Sequence, residues 1–400
     1  MTRQVQEAYL VAAVRTPVGK APRGMFRTVR PDDLLAHALK GAIAKVPGLD
    51  PAEVADIIVG CAMPEAEQGM NVARIGALLA GLPQGVPAMT INRFCSSGVQ
   101  AIALAADRIR TGDDEVVIAA GTESMSMVPM MGNKVALNSE VFAKDENVAI
   151  AYGMGLTAER VAAQWKVSRD DQDAFAAESH RRAVAAIAAG GFRDEILPYG
   201  IETATPDLAT GQVVKRSRVA DTDEGPRPDT TAETLAKLKT VFAARGTVTA
   251  GNSSQMSDGA GAVVLMSEKA MVRTGAKPLA RFAGFAVAGV PPEIMGIGPV
   301  KAVPKVLAQA GLKADALDWI ELNEAFAAQA LAVIRDLGLD PAKVNPQGGA
   351  IALGHPLGAT GAIRAATMAH GLRRTGGRWG LVTMCIGTGM GAAGLFEAIH

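Results

Sequence analysis

Aromatic side chains are scarce in this chain: three Trp, three Tyr and ten Phe among 400 residues. With 44 Gly and many Ala, that scarcity excludes a core filled by large rings and favours close backbone packing. Cysteine is scarcer still. Cys61, Cys95 and Cys385 are too few and too far apart for a disulfide framework, which points to a reducing compartment. No charge excess exists, since Lys+Arg and Asp+Glu are 40 each; neither a nucleic-acid surface nor an acidic tail is expected. No uninterrupted apolar run is long enough to cross a bilayer. Met1-Thr2-Arg3-Gln4-Val5-Gln6-Glu7 lacks the apolar stretch of a signal peptide, so a cytoplasmic protein is expected. CxxC and HExxH spacings are missing, as are a P-loop and a GxGxxG unit opening a first βαβ. Neither a metal nor a nucleotide cofactor is expected.

What is present is alternation. Residues 8–14 read as a strand ended by Thr16-Pro17, a helix follows Pro31-Asp32-Asp33, and 56–61 form a short β-branched run. Residues 71–80 have helical spacing, and 115–120 read as a strand closed by Gly121-Thr122-Glu123-Ser124. Such alternation predicts a mostly parallel sheet covered on both faces. From about Ser124 to Ala250 the chain is Met-rich, then polar and irregular, with a helix start at Ser168-Arg169-Asp170-Asp171-Gln172 and a loop over 221–229. Beyond it the first pattern returns. Asp56 through Cys61 parallels Asp318 through Asn323, Gly98 through Arg110 parallels Gly361 through Arg374, and Val117 through Thr122 parallels Leu381 through Thr388. The offset stays between 262 (318 less 56) and 266 (387 less 121). Two similar α/β halves, the first carrying an insertion, are the expected organisation, not a tandem solenoid.

The chemistry sits on loops that this duplication turns toward each other. Cys95 lies at the bend between an apolar run and an Ala-rich segment, near a helix N-terminus that favours a thiolate; it also reads as a small buried apolar residue. His355 stands between Gly354 and Pro356 in a glycine-rich turn, as a reactive imidazole or as a core histidine holding a loop. Cys385 ends a strand, and Gly387, Gly389 and Gly391 leave backbone N–H groups bare for an oxyanion; a buried strand residue is the alternative. Asn323 is a site residue or a turn former. Cys61, at the equivalent place in the first half, reads as structural.

At these residues the chain resembles the thiolase family over essentially its whole length. Asn92-Arg93-Phe94-Cys95-Ser96-Ser97-Gly98, Ala250-Gly251-Asn252-Ser253-Ser254 with Asp258-Gly259-Ala260, Asn323-Glu324-Ala325-Phe326, Gly354-His355-Pro356 and Cys385-Ile386-Gly387-Thr388-Gly389 occur in the family's order. The resemblance implies an α/β thiolase fold: two pseudo-equivalent βαβαβαββ halves stacked in layers with an inserted loop domain. It divides the chain into a first half at 1–123, a coenzyme A-binding loop domain at 124–250, the remainder of the first half at 251–276 and a second half at 277–400. It makes Cys95 the acylated nucleophile, His355 the group that takes its proton, and Cys385 the acid/base at the α-carbon. Asn323 would hold a water that forms one oxyanion hole with His355, and the N–H groups of Cys95 and Gly387 would form the other. Arg227, Ser254 and Met154 fall at loop-domain positions for coenzyme A or substrate. Helix terminus and His355 together are expected to depress the Cys95 pKa.

Short-chain synthetic members usually have Gly after the nucleophile and His before the loop-domain Met; here Ser96 and Gly153 stand there, as in broad-range 3-ketoacyl-CoA thiolases of β-oxidation. The Met-rich run 125–131 would line an acyl channel or pack a subunit interface. Thiolytic removal of two carbons from a 3-ketoacyl-CoA is therefore the expected activity, with coenzyme A a substrate and no cofactor. The alternatives are an acetoacetyl-CoA thiolase working in the synthetic direction, a non-catalytic acyl-CoA-binding scaffold and a decarboxylating condensing enzyme. The resemblance also implies a homodimer or homotetramer and leaves room for a hydratase/dehydrogenase partner of β-oxidation.

Overall fold

The computed structural model describes residues 5–400; positions 1–4 of the expected first half lie outside the described residues. The first half opens with β1 (Tyr9–Arg15) and the two-residue β2 (Gly19–Lys20). Helix α1 (Pro31–Ala44) starts on a proline, whose missing N–H has no partner in the first turn anyway, and on Asp32 and Asp33, which complement the positive end of the helix dipole. β3 (Asp56–Gly60), α2 (Val72–Leu79), β4 (Ala88–Ile91), α3 (Ser97–Arg110) and β5 (Val116–Ser124) then alternate. The stretch read as irregular is more ordered than its polarity suggests. It holds α4 (Met154–Gln164), α5 (Arg169–Ala188), the hairpin β6 (Tyr199–Asp207) and β7 (Gln212–Ala220), and α6 (Ala232–Ala236). Ser168 caps α5 by accepting the Asp171 N–H. The chain rejoins the sheet as β8 (Ser257–Met266), and α7 (Glu268–Thr274) leads into the second half. There β9 (Ala280–Gly289), α8 (Gly298–Gln309), β10 (Trp319–Leu322), α9 (Ala327–Leu337), α10 (Ala350–Leu353), α11 (Thr360–Thr375), β11 (Trp379–Ile386) and β12 (Met390–Ala398) follow.

In the first half β4, β3 and β5 run parallel, and β8 lies antiparallel between β5 and β1. The second half repeats the arrangement: β10 and β11 parallel, β12 antiparallel between β11 and β9. One strand differs. The equivalent of β4 shrinks to a single bridge between Ile320 and Val344. Pro341 and Pro346 bracket it and cannot donate to a ladder. Among the described residues the halves meet in the sheet where Tyr9 and Leu10 pair with Arg281 and Ala280.

Alternate strand residues face opposite layers. Val116, Ile118 and Ala120 of β5 pack with α1, while Val117 and Ala119 join α3 and α11. Leu381 of β11 faces α8 and α9, while Val382 and Met384 face the same α3–α11 layer. α3 and α11 are thus the middle of five layers, buried between the two halves of the sheet. The insertion is tied down by buried polar pairs: Arg15 of β1 reaches Glu195 at 2.6 Å and both oxygens of Asp223 at 2.7 and 2.9 Å, and Ser179 of α5 donates to Glu324 at 2.7 Å.

The two central helices cross backbone to backbone. A Cβ on Gly361 would lie 2.0 Å from the Val99 nitrogen, and one on Gly98 would lie 2.6 Å from the Ala362 nitrogen. These glycines are equivalent positions of the repeat. Gly361→Ala is expected to cost about 3 kcal/mol of stability in urea unfolding, while Gly289→Ala, whose Cβ meets nothing within 4 Å, stays within about 0.5 kcal/mol of the parent. Equal midpoints for the two variants would remove the crossing from the account of the fold.

Candidate active site

β4 delivers the chain to a tight 3-10 turn, Phe94–Ser96, from which α3 departs. Ser97 holds that turn at both ends: its hydroxyl accepts the Arg93 N–H at 2.8 Å and donates to the Phe94 carbonyl at 2.7 Å. Cys95 is left half-buried at the bend, where its own N–H and that of Gly387, just past β11, favour negative charge on its sulfur.

His355 comes from the other half. Its loop lies between α10 and the 3-10 turn Leu357–Ala359, one turn ahead of α11. The His355 N–H donates to Ser257 Oγ of β8 at 3.0 Å, so a first-half strand holds the second-half loop. A Cβ at Gly354, where φ is +91°, would sit 2.4 Å from that same Oγ, so glycine is required there. The hydrogen-bond network assigns the imidazole tautomer. Thr360 has one hydroxyl proton and donates it to the Pro356 carbonyl at 2.9 Å. Its oxygen then accepts from His355 Nδ1–H at 2.6 Å. Asn323 Nδ2, at 3.2 Å, donates to Nε2. Nε2 therefore carries the lone pair. Asn323 is placed by its N–H to the Thr383 carbonyl of β11, and its buried Oδ1 has no hydrogen-bond partner among the described residues.

Cys95, His355 and Cys385 line one cavity of about 570 Å³, together with Met154, Ser254 and Phe326. Asn323 backs it through His355, and Gly387 through its N–H, which favours negative charge on the Cys95 sulfur. Met125 and Met130 also line it, whereas Met131 is exposed. Arg227 does not line the cavity. It is exposed beyond it, and its N–H donates to Nδ1 of the buried His180 at 3.1 Å. A second cavity of similar size, near Lys45, Lys277 and Arg373, is lined by no cysteine. Sequence reasoning missed Thr360, Ser257 and Lys20, which is on the cavity wall. Thr360 was visible as the hydroxyl residue paired with Ser97 by the repeat; the other two carried no motif.

Burial sets the protonation states. It lowers His355 to about 3, with the buried Arg364 guanidinium adding to the effect, so the imidazole is neutral. Burial pushes the Cys95 thiol up to about 11; the Gly387 and Cys95 N–H groups oppose the rise and buried Glu123 adds to it. The expected depression of the Cys95 pKa is thus reversed, because His355 carries no charge and desolvation outweighs the helix terminus. Cys385 is raised further, by burial first and then by the neighbouring Cys95. A thiol whose pKa is raised stays protonated at neutral pH. Alkylation of Cys95 by iodoacetamide, followed by peptide mass spectrometry, should therefore keep accelerating above about pH 9. Levelling near pH 7 would reveal a preformed thiolate instead.

Comparison with known proteins matches this geometry. The model of the thiolase N-terminal domain covers residues 8–269 and that of the thiolase C-terminal domain covers 276–398. A 3-ketoacyl-CoA thiolase of Bacillus subtilis (strain 168) is 51% identical over 98% of this chain and 100% of its own. Among solved structures, an acetyl-CoA acetyltransferase of Bacillus anthracis superposes with a TM-score of 0.88 at 39% identity over 100% of both chains. The dimeric peroxisomal thiolase of Saccharomyces cerevisiae gives 0.87 at 40% identity over 98% of both. With its duplicated βαβαβαββ halves and a Cys–His–Cys cavity between them, the chain belongs to the thiolase family of acyl-transfer enzymes.

Proposed function

We propose that the chain cleaves 3-ketoacyl-CoA with coenzyme A, giving acetyl-CoA and an acyl-CoA two carbons shorter, through an acyl thioester on Cys95. The observation that carries this reading is the meeting of two cysteine thiols and a neutral imidazole on the wall of one cavity. Cys95 attacks the ketone while His355 Nε2 takes the thiol proton. The tetrahedral alkoxide collapses, the C2–C3 bond breaks, and Cys385 protonates the departing enolate. Cys385 is now a thiolate and deprotonates the incoming coenzyme A, which attacks the acyl-Cys95. Collapse of the second intermediate expels Cys95, which recovers its proton from His355. Protonated Nε2–H, with a water held on the Asn323 Oδ1, suits one oxyanion; the N–H groups of Cys95 and Gly387, which favour negative charge at the sulfur, suit the other. Losing such a donor costs about 10²–10³ in rate.

Coenzyme A enters as a substrate, along the side of the cavity lined by Met154 of the 124–250 loop domain and by Ser254 just after it. The degradative direction is favoured over acetoacetyl-CoA synthesis by the cavity wall. Gly153 presents no side chain to it, and the pliable Met125 and Met130 bound it. The three free thiols suit a reducing cytoplasm. Among the described residues no helix is long and apolar enough to cross a membrane.

A homodimer is also proposed. β4 ends the sheet order, so its outer edge has no partner strand among the described residues. Met70, Leu78, Leu79 and Met89 are exposed on β4 and in or beside α2. A second copy of the chain pairing at this edge would cover both features.

Three measurements test these readings. Cys385→Ala should still gain an acyl mass on Cys95 from acyl-CoA yet lose thiolysis by about 10³-fold or more, while Cys95→Ser loses both. In the parent, kcat/KM should extend to chains longer than acetoacetyl-CoA, and confinement to acetoacetyl-CoA would establish the synthetic enzyme. An acyl mass without turnover in the parent would mark a scaffold. For the assembly, Met89→Asp should shift the sedimentation mass from dimer to monomer; an unchanged mass places the interface elsewhere.

A further inference from the structure

The catalytic cavity is walled by apolar and neutral polar groups with one exception. Among the described residues lining it, Lys20 alone carries a permanent charge, His355 being neutral. Lys20 ends β2, held against β8 by pairing with Ser257, the residue that also anchors the His355 loop. Its backbone N–H donates to Glu224 at 2.8 Å, and that carboxylate also accepts the Met25 N–H at 2.9 Å. The ammonium itself has no carboxylate within 4.0 Å among the described residues. A half-exposed ammonium with no fixed counter-charge is free to meet an anion carried by the ligand.

Position selects which anion. Lys20 is half-exposed, so it stands at the opening and not in the depth of the cavity. Arg227 and Lys20, with Asp229 opposing them, lie within electrostatic reach of the buried His180, behind the cavity wall that Lys20 helps to form. Met125 and Leu357 make the wall beside Lys20 apolar, and an alkyl acyl chain packed on them brings no charge for the ammonium to meet. A coenzyme A thiol, by contrast, carries several phosphate charges at the end away from its sulfur. With the sulfur at Cys95, that end must leave through the mouth. A lysine ammonium, a compact charge with three rotatable donors on a flexible stem, suits phosphate oxygens there.

We infer that Lys20, from the first half and outside the loop domain, binds the phosphate groups of coenzyme A and sets the preference for coenzyme A over smaller thiols. The inference rests on the thiolase reading above. It is tested by thiolysis of one 3-ketoacyl-CoA with coenzyme A, dephospho-coenzyme A or pantetheine as the accepting thiol. Lys20→Met keeps the stem and removes the charge. Its KM for coenzyme A should rise about tenfold, as expected for the loss of one charge-assisted contact. KM for pantetheine and kcat with either thiol should stay unchanged, which also shows that the variant is folded. Lys20→Arg should restore most of the affinity, and added salt should shrink the gap between parent and variant. The dephospho-coenzyme A arm tells the 3′-phosphate from the diphosphate: a full loss retained there assigns Lys20 to the diphosphate. Equal KM changes for coenzyme A and pantetheine, or a loss confined to acyl chains ending in a carboxylate, overturns the inference. Turnover by the parent with an unaffected Lys20→Met overturns it alone, whereas a parent that turns over neither thiol overturns the thiolase reading with it.

Discussion

Everything at the site depends on how closely α3 and α11 approach. Both run through the middle layer, and both begin at a chemistry-bearing turn: α3 just after Cys95, α11 shortly after His355. At the crossing each offers a glycine to the other's backbone, and Gly121 of β5 also lacks room for a Cβ, which would lie 2.4 Å from the Gly358 carbonyl oxygen. Side chains at these positions would push the helices apart, and the two turns with them. The Ala-rich composition serves the same end, since small residues allow two sheets to sandwich one pair of helices without voids.

Burying the turns in this way decides their chemistry. A charge is costly in a dry middle layer, so the imidazole rests neutral and both thiols rest protonated. Charge separates only when a proton moves between groups already in place. Glu123 shows what burial tolerates. Its carboxylate accepts the N–H groups of Ala62 at 2.7 Å, Met63 at 3.2 Å and Gly358 at 2.8 Å, and the Gln68 amide. Backbone dipoles surround it, and through them it fastens the loop after β3 to the turn that follows His355. The carboxylate that raises the Cys95 pKa is thus the same one that holds the opposite wall of the site.

The duplication, and with it the fold, was legible because equivalent glycines and strands recur at nearly constant offset. Cys95, His355 and Cys385 were legible because each stands at a strand or helix end among glycines. Less legible was the order inside the insertion, whose long helix α5 is polar over most of its surface and depends on contacts such as Ser179 to Glu324 for its place. The fifth strand of the second half could not be foreseen as a mere bridge without weighing Pro341 and Pro346 together. The protonation of Cys95 was misjudged because a sequence displays the helix terminus but not the desolvation that outweighs it. Lys20 was invisible for a similar reason: its meaning lies in the neutrality of the wall around it, which is a property of the folded cavity.

The repeat also explains why two similar halves make one site. Ser97 and Thr360 each stand one position before the paired glycines. In the first half the hydroxyl closes the turn that presents the nucleophile, accepting a backbone N–H from Arg93. In the second half the same hydroxyl accepts the imidazole Nδ1–H of His355. The position equivalent to Cys95 is Gly358, where a Cβ would lie 2.6 Å from the Cys61 Cα. A second nucleophile cannot fit there. Nor does Cys61 mimic Asn323, because it is packed beside the Glu123 carboxylate, which pushes its thiol pKa up beyond what burial alone does. Each half has thus kept the shared scaffold and given up the role that the other performs. The asymmetry is enforced by contact distances between the turn before α11 and the loop after β3, where Gly358 meets the Cys61 backbone.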